Sequence, residues 1–127
     1  GIIGSAYRGI WLPNTIEKFR RNEAVRIYSP DFATRNFVWN DDLADFVVHL
    51  LRMEDWKYDV LCLASHEKTT VWELVYEIKR LTGSTSEIIV DNDKRASFCL
   101  DDSRAMEMGY VSISPMEMVE RFLEESK

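Results

Sequence analysis

Arg35-Asn36-Phe37-Val38-Trp39-Asn40-Asp41-Asp42-Leu43-Ala44-Asp45-Phe46-Val47-Val48 is the stretch on which the reading of this chain turns. Phe37, Val38 and Trp39 are β-branched or aromatic and predict a short, half-buried strand. Asn40, Asp41 and Asp42 end that strand and bring acceptors and negative charge to the free amides that open a helix. Capping is therefore the expected role of Asp41, Asp42 and Asp45, in preference to a metal or acid/base site, because only Asp41 and Asp45 share a helix face. Leu43, Phe46, Val47, Leu50 and Leu51 follow at helical spacing and predict one buried face. Arg35 stands just before this fixed corner, and its planar fork suits a phosphate or carboxylate. The same residue type also serves as a solvated cation or the partner of a local acid.

Working outward, Pro13 with Leu12, Ile16 and Phe19 predicts a helix from about residue 13 to 22, and Val25 to Tyr28 a strand. Ser29-Pro30-Asp31-Phe32-Ala33-Thr34 reads as a turn that delivers the chain to Arg35. Val60-Leu61-Cys62-Leu63-Ala64 is a continuous apolar run and predicts a central strand covered on both faces. Thr70 and Glu73 form a capping-box pattern ahead of Val71, Leu74, Val75, Ile78 and Leu81, and Gly83 supplies the stop. Glu87 to Val90 and Ser97 to Leu100 read as short strands separated by the polar run 91–95. A short helix over Asp102 to Met108 ends at Gly109, and Ser114-Pro115-Met116-Glu117 opens a last helix with Met118, Val119, Phe122 and Leu123 on its apolar stripe. The expected fold class is mixed α/β, one domain over residues 1–127, with short strands and about five helices.

Composition sets further bounds. The chain has 127 residues, 46% hydrophobic and 12% aromatic, which argues against disorder, and no apolar run reaches membrane-spanning length. No secretory signal pattern is visible, so a cytoplasmic location and no membrane partner are expected. A formal charge of −6 disfavours a nucleic-acid-binding surface. Cys62 and Cys99 lie in apolar runs without a second ligand at metal spacing, and buried free thiols are expected. His49 falls on the polar side of its helix and His66 in a turn beside Glu67, and neither is read as catalytic.

The run from Arg35 to Val48 resembles the signature that opens the C-terminal half of the NAD-dependent epimerase/dehydratase family, the extended short-chain dehydrogenases/reductases. The resemblance continues through Ile2-Ile3-Gly4 and Val25-Arg26-Ile27-Tyr28 upstream, and downstream through Arg95-Ala96-Ser97-Phe98-Cys99-Leu100-Asp101-Asp102-Ser103-Arg104-Ala105 with Gly109-Tyr110. It covers nearly the whole chain in order. Two family features are missing from the sequence. The glycines at 1, 4, 9, 83 and 109 cannot build a Gly-x-Gly-x-x-Gly cradle, and no tyrosine is followed four residues later by lysine. The first residue is Gly1, as expected of a piece of something longer.

The resemblance implies a substrate-binding lobe that lacks the Rossmann dinucleotide-binding half. Arg35 matches the family arginine that holds a nucleotide diphosphate, Arg95 a second one, and Tyr28 sits where such enzymes pack the base. On this reading Arg35 and Arg95 share one concave side, with Tyr28 near Arg35, and each guanidinium contributes charge-assisted bonds worth roughly 1.5 to 3 kcal/mol. NAD or NADP would belong to the parent enzyme, whose N-terminal Rossmann half is the implied partner, and this piece is expected neither to bind the cofactor tightly nor to act alone. Other readings of the same residues are a salt bridge from Arg95 to Asp91, Asp93 or Asp101 and a half-buried strand aromatic at Tyr28. Ser29-Pro30 and Asn36 depart from the family's glycine-containing turn and its usual aspartate. Three functions follow: the substrate-binding portion of a nucleotide-sugar epimerase/dehydratase, a reductase of the same family whose substrate has no diphosphate, or a non-catalytic interaction module.

Overall fold

A computed structural model describes residues 1–4, 11–91, 93 and 95–127. Tyr7 and Gly9, and positions 92 and 94 of the polar run, lie outside the described residues. The element order is β1 (Ile2–Ile3), α1 (Trp11–Arg20), β2 (Val25–Tyr28), β3 (Ala33–Thr34), β4 (Val38–Trp39), α2 (Asn40–Leu51), β5 (Thr69–Thr70), α3 (Val71–Thr82), β6 (Ile88–Asp91), α4 (Ser103–Glu107) and α5 (Pro115–Glu125). This is the mixed α/β class with five helices that the sequence predicts.

Among the described residues the strands form three separate pairs. β1 runs parallel to β4, β2 parallel to β6 with Val25 opposite Ile88, and β3 antiparallel to β5. In β2 the side chains alternate, with Val25 and Ile27 buried and Arg26 and Tyr28 exposed. Helices α1, α3 and α5 pack together over these strands. Ile16, Phe19, Leu74, Ile78, Met118 and Phe122 have no exposed surface and, with Ile3, Val25, Ile27 and Trp39, make one core. A smaller cluster of Phe46, Ala105, Met108 and Tyr110 joins α2 to α4.

The local signals of α3 and α5 act as read. Thr70 Oγ1 accepts the Glu73 amide at 3.1 Å, the Glu73 carboxylate accepts the Thr70 amide at 2.8 Å, and Gly83 closes the helix at φ 62°. Ser114 accepts the Glu117 amide at 3.2 Å with Pro115 in the first turn. Gly109, at φ 98°, ends the α4 segment, and a Cβ there would lie 2.5 Å from His49 Nε2.

Four expectations are corrected. Val60–Ala64 is not a strand: none of its residues joins a ladder, Val60 is 75% exposed and Cys62 is exposed, because no neighbouring strand among the described residues offers it hydrogen bonds. Ser97–Leu100 is also irregular, since its polar bonds go to side chains: the Leu100 amide donates to Asn36 Oδ1 at 2.7 Å and the Ala33 amide to Ser97 Oγ at 2.9 Å. Cys99 is half-buried and Cys62 exposed, so neither is the buried thiol expected. On α2, Phe46 alone is buried, while Val47, Val48 and Leu51 face outward, and the N-cap is Trp39 with no side-chain cap bond. The Asp42 carboxylate instead accepts the Ile113 amide at 3.1 Å, tying α2 to the segment that enters α5.

Candidate functional site

Arg35 is anchored through its backbone. Its carbonyl accepts both the Ser65 amide at 2.7 Å and the Ser65 hydroxyl at 2.8 Å, so residues 34–36 and 64–65 are held side by side. Its guanidinium pairs through Nη2 with the Asp102 carboxylate, whose side chain is only 6% exposed. That ion pair crosses 67 residues of sequence and fixes the start of α4 against the corner before β4.

A cavity of about 450 Å³ lies over this pair, bordered by Arg35, Asp102, Tyr110, Ser112, His66 and Glu67, with Met106 and Val111 also on its wall. His66 Nε2 lies 3.7 Å from the Glu67 carboxylate, and Glu67 holds a left-handed backbone at φ 62°. Arg35 Nε and the Tyr110 hydroxyl are both buried, and Arg35 Nε has no hydrogen-bond partner among the described residues. The Tyr110 phenol is pushed up to about 12, first by burial and then by the Asp42 and Asp102 carboxylates. Ser112 offsets a little of this. The Tyr110 hydroxyl therefore stays protonated throughout the physiological range.

Arg95 occupies another place. It is an exposed residue whose Nε donates to Asp93 at 3.2 Å, and it borders a cleft of about 390 Å³ with Ser29, Asp31, Phe32, Asp93 and Ser97. The two arginines line different cavities, and each is neutralised by a carboxylate. Tyr28 lines neither; it ends β2 more than half exposed, opposite Asp91. Ser29, the residue at which the sequence departs from a glycine-containing turn, has φ 50°, and its hydroxyl donates to the Asp93 carbonyl. A conformation that favours glycine is thus held by a side-chain bond. Phe32 and Phe98 meet edge to face beside this cleft at 5.8 Å.

The sequence pointed to Arg35 but not to Tyr110 as a wall of its cavity, since an aromatic residue after a glycine stop reads equally well as core. Asp102 was legible only as the start of a helix. Among the described residues no group of His, Cys, Asp and Glu is arranged to hold a metal ion, and no helix is long and apolar enough to cross a membrane.

No protein-family model and no curated protein matches the sequence. Solved structures do match the fold. UDP-glucose 4-epimerase from Thermotoga maritima, solved with UDP-glucose, is 24% identical with a TM-score of 0.73, over 99% of this chain and 44% of its own. GDP-mannoheptose C4 reductase from Campylobacter jejuni, with NADP bound, is 16% identical with a TM-score of 0.77, over 97% of this chain and 46% of its own. This chain has the fold of one part of such enzymes. dTDP-4-dehydrorhamnose reductase from Bacillus anthracis, in complex with NADP, agrees at a TM-score of 0.76 and 15% identity, over 99% of this chain and 46% of its own. The chain thus spans less than half the length of these nucleotide-sugar epimerases and reductases.

Proposed function

We propose that the chain is the C-terminal, substrate-binding portion of an NAD(P)-dependent enzyme acting on a nucleotide-activated sugar, an epimerase, dehydratase or reductase in a cytoplasmic setting. The observation that carries this reading is the match of nearly the whole chain to less than half of several enzymes of that kind. The dinucleotide-binding half would supply the cofactor and the acid/base residues, because this sequence has neither a glycine cradle nor a Tyr-x-x-x-Lys pair. Within this portion Arg35, Arg95 and Tyr28 are the substrate-contacting candidates, and a diphosphate would have to compete with Asp102 and Asp93 for the two guanidinium groups.

Those two ion pairs favour a second reading, a reductase of the same family whose substrate has no diphosphate and whose arginines are structural. Calorimetric titration of the chain with UDP-glucose and with UDP separates the two. On the first reading both bind, and Arg35→Ala and Arg95→Ala each weaken binding about ten-fold, the loss of one charge-assisted bond. Absence of binding by both ligands, with the variants still folded, leaves the second. Neither reading expects tight binding of NAD, and a micromolar constant for NAD would count against the division of labour proposed here.

A further inference from the structure

We infer, on the function proposed above, that α2 and the β1–β4 strand pair form the surface on which the dinucleotide-binding half docks, its parallel sheet continuing the pair and its apolar face covering α2. α2 is apolar on two sides. On one, Phe46 and Leu50 pack against the α4 cluster. On another, Ala44, Val47, Val48 and Leu51 recur at i, i+3, i+4 and i+7, and all four are exposed. Asp41, Asp45 and Arg52 occupy a third side and suit water. A helix with a single protein neighbour needs one apolar stripe, whereas one that is apolar on two sides belongs between two layers. Trp56 extends the open region: its indole Nε1 donates to the Leu50 carbonyl at 2.9 Å, which holds a ring more than half exposed at the C-terminal end of α2. Exposed aromatic rings fixed by one polar bond are typical anchors of an interface.

The strands that lead into α2 are incomplete in the same sense. β1 and β4 have two residues each, run parallel, and have no further neighbour among the described residues. Parallel strands occur almost only within larger sheets covered on both faces, and two strands alone are marginal. Ile3 and Trp39 stand opposite each other and are buried in the main core, so Ile2 and Val38 point to the other face, where Ile2 is exposed. Trp39 is followed at once by Asn40, the first residue of α2, so the open strand pair and the open helix stripe belong to one strand–helix unit. Such a unit is completed by further parallel strands, across whose face its helix packs.

The fold decides what supplies them. This chain accounts for only 44 to 46% of the epimerase and the two reductases above, and the dinucleotide-binding half of the proposed parent is by its nature an open, mostly parallel sheet with helices on both faces. Its strands run as β1 and β4 require, and its sheet face offers the apolar cover that Val47, Val48 and Leu51 lack. A second copy of this chain brings only the same two-residue strands, too small a sheet to cover that stripe.

Calorimetry and sedimentation test this with the dinucleotide-binding half of the parent enzyme expressed as a separate polypeptide. The two pieces are expected to associate one to one with a dissociation constant of about 10 μM or below, slowing amide hydrogen exchange over residues 38–51 and leaving that of α3 unchanged. Val48→Lys and Leu51→Lys should each weaken association about ten-fold or more, while Tyr76→Lys, at a comparably exposed position of α3, leaves it unchanged. All three side chains are exposed, so each variant should keep the melting temperature of the chain, and the two on α2 give independent readings should one lower it. Absence of association, or association that neither lysine on α2 weakens, overturns the inference. A dimer of this chain alone that Leu51→Lys dissolves also overturns it, in favour of a second copy as the occupant. NAD titration of the partner piece scores the family reading separately. A half that binds NAD yet ignores both lysines refutes the docking surface and leaves the proposed function standing, whereas a half that does not bind NAD refutes both.

Discussion

Helices α2 and α3 have the same length, twelve residues each, and comparable apolar content, yet the protein treats them differently. α3 is capped at both ends, its Leu74, Val75 and Ile78 are wholly buried, and it lies between α1 and α5. α2 begins without a side-chain cap, buries Phe46 alone, and leaves Val47, Val48 and Leu51 outward. The difference shows that a helical stripe sets which face a helix can bury, while the burial reached depends on which elements pack on that face. α3 finds its neighbours in this sequence. α2 has more apolar surface than the described residues cover.

The sharpest way to break the comparison is to truncate one leucine on each helix. Leu74→Ala should lower unfolding free energy by about 2 to 5 kcal/mol, as a cavity in a packed core does. Leu51→Ala, at a side chain that is 73% exposed, should stay within about 0.5 kcal/mol. Urea unfolding measures both, and equal losses would mean that α2 is packed as tightly as α3.

Caps come next in size. Thr70→Ala should cost α3 about 1 kcal/mol, because the Glu73 amide loses its acceptor. Asp41→Ala should cost α2 almost nothing, since no cap bond is made there. Thermal melts of the two variants decide the point, and a loss at Asp41 matching that at Thr70 would restore capping as the role of this acidic turn.

The smallest effect is the most discriminating, because the two helices should respond to pH with opposite sign. Hydrogen bonds from the Thr70 backbone amide and then the Thr69 hydroxyl lower the Glu73 carboxyl below its usual range. Its contribution is therefore present above the unfolded-state value and is lost as pH falls through the folded one. Burial raises the Asp42 carboxyl, outweighing the Ile113 amide bond that lowers it. Its contribution is then fully present below the unfolded-state value and is lost as pH rises through the raised one. Glu73→Gln should thus be destabilising at neutral pH and nearly silent in acid. Asp42→Asn should be neutral or slightly stabilising at neutral pH and silent in acid, because asparagine keeps an acceptor for Ile113 without the charge. Melting temperatures between about pH 3 and 7, spanning the ordinary carboxylate range, test both signs.

How legible the chain was follows the same division. Signals that act within one turn, Thr70 with Glu73, Gly83, Ser114 with Pro115, were read correctly because their physics is local. The strand predicted over Val60–Ala64 failed because hydrogen bonding in a sheet is a property of two segments, and hydropathy reports on only one. The acids of α2 were assigned to the nearest free amides, whereas Asp42 bonds one 71 residues away. At the candidate site Arg35 was visible through its motif, but the contact with Asp102 across 67 residues was not. For Arg95 the sequence offered Asp91, Asp93 and Asp101 as partners, and the structure selects Asp93, two positions before it. Spacing cannot show which carboxylate an arginine finally meets.

The run Val60–Ala64, unladdered among the described residues, also bears on how the chain should behave in a test tube. Five consecutive apolar residues without Pro, Gly or charge, partly open to solvent and lacking strand partners among the described residues, offer a template on which another extended chain can add. Asp59 on one side is the nearest charged gatekeeper, and on the other none comes before Glu67. Concentration, more than temperature, should therefore limit the shelf life of the purified chain, and a single lysine in place of Val60 should extend it without touching the core or either cavity.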